Sequence, residues 1–248
     1  MNCLERYLEG FTEEVCEELL KQDYRTVLPE AEKVYAELFR RVRFNLETIH
    51  AELERSGYKF YRWQNTETGY DNLMPPLSKA EIAQQLATIE EKGLYMPLSL
   101  QVFYQYVGGC NFGWDYNNFP DIPWYYSDPI QVSPPANAIE DFMEWFDDFK
   151  ENREEFGSFE EFLDDYGLTV SADFYHKDGV SGGKPYAVKV SESPCIDNLL
   201  MYEENNTSFI NYLRICFDGC GFSRAYQQED NEDFQAFCKR VKPKLLKI

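Results

Sequence analysis

The segment GVSGG at residues 179–183 is the part of the sequence that comes closest to a catalytic motif. It fits the G-x-S-x-G pattern, in which a serine hydrolase places its nucleophile at a sharp turn between a strand and a helix. Here Pro185 and an alternating apolar pattern follow Ser181, which predicts a strand after the turn. Both histidines, His50 and His176, precede the serine, whereas hydrolases of this type place the histidine after it. The segment is therefore interpreted as a glycine-rich connection between two strands.

The spacing of histidines and cysteines does not indicate a metal or thiol site. His50 lies on a predicted helix without a second histidine four residues away, and His176 begins a loop. Cys216 belongs to an apolar helix face, and Cys220 belongs to the glycine-rich segment that ends the same helix. We therefore predict no catalytic residue, no metal ligand and no cofactor. A hydrolase that uses Ser181 or one of the cysteines is the least favoured hypothesis.

Acidic residues dominate residues 140–165, where twelve of them stand against Lys150 and Arg153. Adjacent carboxylates on a helix point in different directions, so these residues do not form an acid–base pair. The opposite side of the predicted helices is apolar, and the acidic side is either a solvated surface or a docking surface for a basic protein. The docking hypothesis assigns eight residues to partner binding: Asp147, Asp148, Glu151, Glu154, Glu155, Glu160, Glu161 and Asp164.

The overall charge and the cysteine content restrict the class of protein. The chain has 44 acidic and 24 basic residues, and its net charge of -20 disfavours nucleic acids and anionic membranes as partners. A basic protein partner is favoured, and charge that serves only solubility is the alternative. Seven irregularly spaced cysteines indicate a reduced, cytoplasmic protein. No secretory signal and no membrane span of roughly 18 apolar residues is predicted, and the oligomeric state is open.

The N-terminal part of the chain is predicted to be mainly helical. Residues 29–56 carry apolar side chains at spacings of three and four, which predicts one long helix that ends at Gly57. It packs either on the chain's own core or in a coiled coil with a partner. A shorter helix is predicted within residues 1–27. Ser78 and the glutamate three residues later predict a capping box at the start of another helix.

The later part of the chain mixes helices with short strands. Pro97 predicts the start of an apolar helix that ends at Gly108 and Gly109. Trp114 and Trp124 follow in a proline-rich region, where they either line a ligand cleft or pack in the core. Strands are predicted at 58–63, 130–132, 168–174 and 186–190, a loop at 65–76, and helices that start at Asn137, Ser158, Thr207 and Asp233.

These elements favour an α+β fold, because no strand–helix–strand unit repeats at regular spacing. We expect a small, mostly antiparallel sheet packed by several helices, with an N-terminal helical extension. The length is consistent with a single domain over residues 1–248. Residues 1–93 form its mainly helical part, and residues 94–248 contain the strands.

Four blocks within residues 94–248 resemble the SUKH superfamily, which includes a fungal cell-wall-assembly regulator and many proteins of bacterial toxin-immunity loci. The likeness is to a bacterial branch of this superfamily. That branch tends to have Trp-Gly-Gly-Phe-Pro-Gly where this chain has DGCGFS at residues 218–223, so an aromatic residue and a proline are missing. The blocks are MPLSLQVFYQYVGGCNF at 96–112, SDPIQV at 127–132, SADFYHKDGVSGGKPYAVKV at 171–190 and TSFINYLRICFDGCGF at 207–222.

The resemblance implies an α+β fold with a central sheet, and proteins that act by binding other proteins. For the immunity members it implies that binding covers the active site of a toxin. We therefore expect a non-enzymatic protein-binding module, an immunity protein against a basic, nuclease-like toxin. A housekeeping scaffold or regulatory protein on the same fold is the alternative.

Overall fold

The protein has an α+β fold in which helices enclose two small antiparallel sheets. A computed structural model describes residues 2–61 and 72–248. The elements in chain order are α1 (Cys3–Leu8), α2 (Thr12–Leu20), α3 (Tyr24–Arg55), α4 (Lys79–Glu90), α5 (Leu98–Tyr106), β1 (Cys110–Asn111), β2 (Gln131–Val132), α6 (Pro135–Glu151), α7 (Arg153–Phe156), α8 (Phe159–Asp165), β3 (Leu168–Ser171), α9 (Phe174–Lys177), β4 (Tyr186–Val188), β5 (Leu200–Met201), α10 (Phe209–Asp218) and α11 (Glu232–Val241).

Two antiparallel sheets confirm the predicted fold class. β1 pairs with β2, and the second sheet has the strand order β3-β4-β5. The Ser133 amide donates to the carbonyl of Val170 at 2.7 Å, which joins the end of β2 to β3. Helix α6 packs on β3, and the residues of β3 and β4 are buried apart from the half-buried Thr169. No helix within the described residues has the length and apolar composition needed to cross a lipid bilayer.

The long helix α3 is confirmed, and it begins earlier than predicted. The Asp23 side chain accepts a hydrogen bond from the Thr26 amide at 3.1 Å, which caps the helix ahead of Pro29. Residues 3–20 form two short helices where one was predicted, because Gly10 turns the chain with a φ of 106°. The predicted stripe of α3 is buried along its whole length: Tyr35, Phe39, Val42, Leu46, Ile49 and Leu53.

The capping box before α4 and the apolar helix α5 are also confirmed. Ser78 and Glu81 exchange the two predicted hydrogen bonds. Helix α5 packs on α3 and ends before Gly108, whose φ is 84°. A Cβ added at Gly108 would lie 2.0 Å from the Pro75 carbonyl oxygen, so a neighbouring chain segment passes directly over this turn.

Three predicted boundaries are wrong, each for a local reason. Helix α6 starts at Pro135 and not at a cap formed by Asn137, because proline is favoured in a first helical turn. The predicted strand 168–174 stops at Ser171, since Asp173 accepts from the His176 amide and caps α9. In the predicted strand 58–63, Phe60 forms a single bridge to Trp114. Residues 62 and 63 and most of the predicted loop 65–76 lie outside the described residues.

Candidate functional site

The glycines of the GVSGG segment allow close packing of aromatic rings. A Cβ at Gly179 would lie 2.8 Å from the Tyr116 ring, and one at Gly182 would lie 2.8 Å from Tyr175. Ser181 is exposed, and within the described residues its hydroxyl has no hydrogen bond to a histidine. The geometry therefore explains Gly179 and Gly182 by close packing against tyrosine rings.

The two histidines occupy unrelated environments. His50 stacks on Phe60 with ring centres 4.6 Å apart, and His176 Nδ1 lies 3.1 Å from an oxygen of the buried Asp173. Over residues 2–61 and 72–248, no group of three or more His, Cys, Asp or Glu side chains is placed to hold a metal ion. The structure pairs His176 with Asp173. The predicted strand 168–174 includes Asp173, so this pair could not be expected from the sequence.

Trp114 and Trp124 combine the two roles that the sequence left open. Both are largely buried, and the Trp124 ring centre lies 5.1 Å from those of Phe234 and Phe237. The same two tryptophans form the floor of a cleft of about 540 Å³ between the end of α3 and α11. The Trp114 indole N–H donates to the Phe119 carbonyl at 2.6 Å. With 9% and 7% of their surface exposed, Trp114 and Trp124 contribute mainly to the core, although both also line the cleft.

A buried ionic cluster, here called the Asp128 centre, consists of Asp128, Lys177, Tyr186 and Ser223. Asp128 Oδ1 lies 2.6 Å from Lys177 Nζ. Its Oδ2 accepts from the Tyr186 hydroxyl at 3.0 Å and from the Ser223 hydroxyl at 2.5 Å. The cluster joins the loop before β2, helix α9, strand β4 and the turn after α10. Because every charged group in it has a close partner, its arrangement is explained by structure alone.

Asp178 lies beside this centre and has an altered acidity. Its carboxylate accepts a hydrogen bond from the Tyr126 amide at 2.6 Å. Burial raises the pKa of Asp178 to about 6, the negative charge of Asp128 contributes in the same direction, and Lys177 and Arg224 oppose the rise. This carboxyl group therefore gains and loses its proton in a mildly acidic range.

The eight acidic residues assigned to partner binding lie on three consecutive helices, α6, α7 and α8. Seven are exposed and Asp148 is half-buried. Four of them have partners within the chain: Asp147 pairs with Lys150, Asp148 with Asn152, Asp164 with Lys189, and Glu161 accepts from the Ser158 amide. The side chains of the other four form no hydrogen bond or ion pair within the described residues: Glu151, Glu154, Glu155 and Glu160.

Trp145 is an exposed aromatic side chain at the edge of these acidic residues. It lies on α6 with 45% of its surface exposed, and its ring centre is 4.9 Å from that of Tyr166. Helical spacing places Asp141 and Asp148, four residues before and three residues after it, on the same side of the helix. Trp145 is not among the eight residues predicted to bind a partner, although a tryptophan between acidic residues of an amphipathic helix can indicate a binding surface.

The carboxylates around Trp145 repel one another. Burial raises the pKa of Asp141, and the negative charges of Glu144 and Glu140 raise it further. We call Trp145, Tyr166, Asp141, Glu144 and Asp148 the Trp145 surface. It combines a large apolar side chain with a local excess of negative charge, which suits a cationic and partly apolar partner.

Comparisons of the chain with models of protein families, with curated proteins and with solved structures found no match. The function is therefore inferred from the arrangement of side chains in this protein and from the sequence blocks described above. Among the surfaces of the described residues, the Trp145 surface and the acidic residues of α6 to α8 offer the clearest chemistry for recognition.

Proposed function

We propose that this chain is a non-enzymatic binding protein of the SUKH kind, which acts in the cytoplasm and holds a basic protein partner on α6, α7 and α8. The observation that carries this proposal is the exposed Trp145, which lies among carboxylates and rests on Tyr166. Tryptophan and tyrosine are the side chains that most often dominate the binding energy of protein interfaces. Trp145 is not an isolated aromatic side chain, because it packs beside Tyr166, and a pair of neighbouring rings offers a partner a larger apolar contact than a single one.

The charges nearby suggest how such a partner is attracted. Glu151, Glu154, Glu155 and Glu160 have no partner within the described residues, and the chain as a whole carries a net charge of -20. A field of this kind increases the rate of encounter with a positively charged protein and decreases in strength as salt is added. The acidic helices would thus act before contact, and Trp145 after it.

The contacts at the Trp145 surface define the chemistry of the partner. A lysine or arginine of the partner can lie over the ring of Trp145 or Tyr166 and also reach Asp141 or Asp148. A toxin that cleaves nucleic acid has basic residues around its active site, since its substrate is a polyanion. An immunity protein with this surface would occupy the same basic residues and thereby exclude the substrate.

The proposal can be tested by capture from the native host with matched variants as bait. The first test variant carries Glu151→Lys, Glu154→Lys and Glu155→Lys, and the second carries Trp145→Ala. We expect a basic protein to be retained by the wild type and lost by both variants. Its purified form should then associate with the wild type at a rate that falls steeply with salt.

A third variant separates the acidic surface from the net charge. Glu9→Lys, Glu14→Lys and Glu17→Lys make the same change in charge at exposed residues elsewhere, since Glu9 follows the end of α1 and the other two lie on α2. This variant should retain the partner. If all three variants retain it, or if the association rate does not respond to salt, α6 to α8 are not the binding surface. The identity of the partner distinguishes immunity against a toxin from regulation of a cellular protein.

A further inference from the structure

Cys220 and Cys238 meet in space although the sequence separates them. Cys220 lies fully buried in the turn after α10 with a φ of 57°, and Cys238 lies partly exposed on α11. The Cys220 thiol donates to the Cys238 carbonyl oxygen at 3.8 Å, which places the two cysteines side by side. The sequence analysis had compared Cys220 with Cys216, which is buried separately in the core of α10.

Cys238 is partly exposed and has two lysines and one aspartate close to it. It lines a cavity of about 530 Å³ together with Lys239, Lys242 and Asp218. Interaction with the Cys220 thiol lowers the pKa of Cys238, burial opposes this change, and the charge of Lys242 lowers the pKa as well. Interaction with Cys238 and burial raise the pKa of Cys220, so the outer sulfur is the first to lose its proton.

The other buried cysteines have the opposite environment. Burial raises the pKa of Cys16, of Cys110 and of Cys216. Cys195 is partly exposed, but burial raises its pKa as well. A reactive thiol needs both access and a stabilised thiolate, and these two conditions meet at Cys238.

We propose that Cys238 and Cys220 form a reactive dithiol site, which is oxidised by exchange with small anionic disulfides of the glutathione disulfide class. Lys239 and Lys242 lie where the carboxylates of such a molecule would bind. The Cys238 thiolate is the attacking group, and the neighbouring Cys220 thiol resolves the product. This site is independent of the proposed binding surface, which lies on α6, α7 and α8.

The exchange has two steps. In the first, the Cys238 thiolate attacks one sulfur of the small disulfide, whose S–S bond breaks, and one small thiolate leaves and takes up a proton. In the second, Cys220 loses its proton and attacks the Cys238 sulfur, which displaces the second small thiol and forms the Cys220–Cys238 bond. Two protein thiols are oxidised, and one small disulfide is reduced to two thiols.

The bond would fasten α11 to a central turn of the fold. Residues 219–223 contain Phe222, which pairs with Pro129, and Ser223, whose amide donates to the Asp128 carbonyl at 3.0 Å. Oxidation would therefore restrict the movement of α11 relative to the turn that supports the Asp128 centre. Reduction by an ordinary thiol would reverse it.

The test is to incubate the native chain with glutathione disulfide at neutral pH and to locate the products by peptide mass mapping. In the wild type we expect a Cys220–Cys238 disulfide, seen as the loss of two hydrogen atoms. The Cys220→Ser variant should stop at a mixed disulfide on Cys238, and the Cys238→Ser variant should form neither product. Cys195→Ser is the matched control, because it removes another partly exposed thiol, and it should behave as the wild type.

A second measurement separates reactivity from mere exposure. The rate of Cys238 alkylation should rise with pH. Cys220→Ser should slow it at neutral pH by roughly threefold or more, because the interaction with the Cys220 thiol that lowers the pKa of Cys238 is lost. The other charged groups near the pair, Asp218, Lys239 and Lys242, are unchanged in this variant. An unaltered rate, equally fast modification of Cys3 or Cys195, or a mixed disulfide that persists in the wild type would each overturn the proposal.

Discussion

The Asp128 centre and the Trp145 surface use charge in opposite ways. In the Asp128 centre, the carboxylate oxygens meet one ammonium group and two hydroxyl groups at 2.5 to 3.0 Å. At the Trp145 surface, burial raises the pKa of Asp141, and the negative charges of Glu144 and Glu140 raise it further. The charges of the Asp128 centre are paired within the chain, whereas the Trp145 surface carries an excess of negative charge.

This difference separates structural charges from charges that serve recognition. A buried ion without a partner would cost several kcal/mol, so folding alone explains why the interior is matched. Exposed carboxylates carry no such requirement, and a cluster of them is mildly unfavourable to the fold. The excess at the surface therefore contributes nothing to stability, which fits the proposal that it meets a partner.

The largest expected effect comes from removing the cation of the buried ion pair in the Asp128 centre, compared with the cation of an exposed ion pair on the acidic helix α8. Lys177→Met leaves Asp128 buried and uncompensated, and we expect a loss of about 3–5 kcal/mol in the free energy of unfolding. Lys189→Met removes the partner of the exposed Asp164 and should cost about 0–1 kcal/mol. Urea denaturation measures both.

A double variant keeps this comparison decisive if Lys177→Met folds poorly. Adding Asp128→Asn removes the stranded charge and should recover part of the lost stability. Equal losses for Lys177→Met and Lys189→Met would mean that the two regions do not differ in the way described.

The next largest effect concerns binding. Trp145→Ala should weaken the affinity for the captured partner by about 2 kcal/mol or more, roughly thirtyfold in Kd. Phe44→Ala is the matched control, since Phe44 is a helix-surface aromatic side chain with 46% exposure. Isothermal titration calorimetry measures both affinities. Equal losses in the two variants would contradict the assignment of Trp145 to the binding surface.

A smaller effect is expected from Asp178, a carboxyl group beside the Asp128 centre whose burial is incompletely compensated. The pKa of Asp178 is about 6 in the folded protein and has a reference value of 3.8, so the folded state binds the extra proton between these values. Its contribution to unfolding free energy therefore falls as pH rises from about 4 to about 6 and stays low above that range.

Asp178→Asn removes this dependence and keeps an oxygen for the Tyr126 amide. The variant should be more stable than the wild type by about 1–2 kcal/mol at pH 8 and should show a flatter profile between pH 4 and 6. Denaturation over a pH series provides the measurement. A wild-type stability that rises over the same range through this group would refute the burial argument.

The smallest predicted effect is a gain in stability at the Trp145 surface. Glu144 stands four residues from Glu140 and from Asp148 on α6, so two like-charge pairs share one helix face. Glu144→Gln should stabilise the chain by about 0.5 kcal/mol and move the pKa of Asp141 toward its ordinary value. Carboxyl NMR titration and urea denaturation test this, and a loss of stability would show that the carboxylates are not in conflict.

Local signals made much of the fold predictable from the sequence. The Ser78 and Ser158 capping boxes are confirmed, as is the buried stripe of α3, because each depends on residues within one or two helical turns. The acidic surface could also be predicted, since its residues are consecutive along α6 to α8. These features require no knowledge of the tertiary structure.

Features that depend on distant residues were not predictable in this way. Asp128 and Ser223, whose hydroxyl donates to it, are separated by 95 positions in the sequence. An aspartate among apolar residues does not indicate which distant side chains will pair with it. The pairing of Cys220 with Cys238 was missed for the same reason. Trp145 has a local signal, but only the structure shows that its ring stays exposed while Phe142, Phe146 and Phe149 are buried.

The length and position of α3 have a consequence for synthesis on the ribosome. Its apolar stripe is complete once Leu53 has been made, but α11, which packs on it, ends at Val241. At ordinary rates of translation, the interval between these points is about 10–40 s. During this time α1 and α5 can already pack on α3, but the part of the helix that α11 covers stays exposed on the nascent chain. An exposed apolar segment of this kind is a site for chaperones that bind emerging polypeptides.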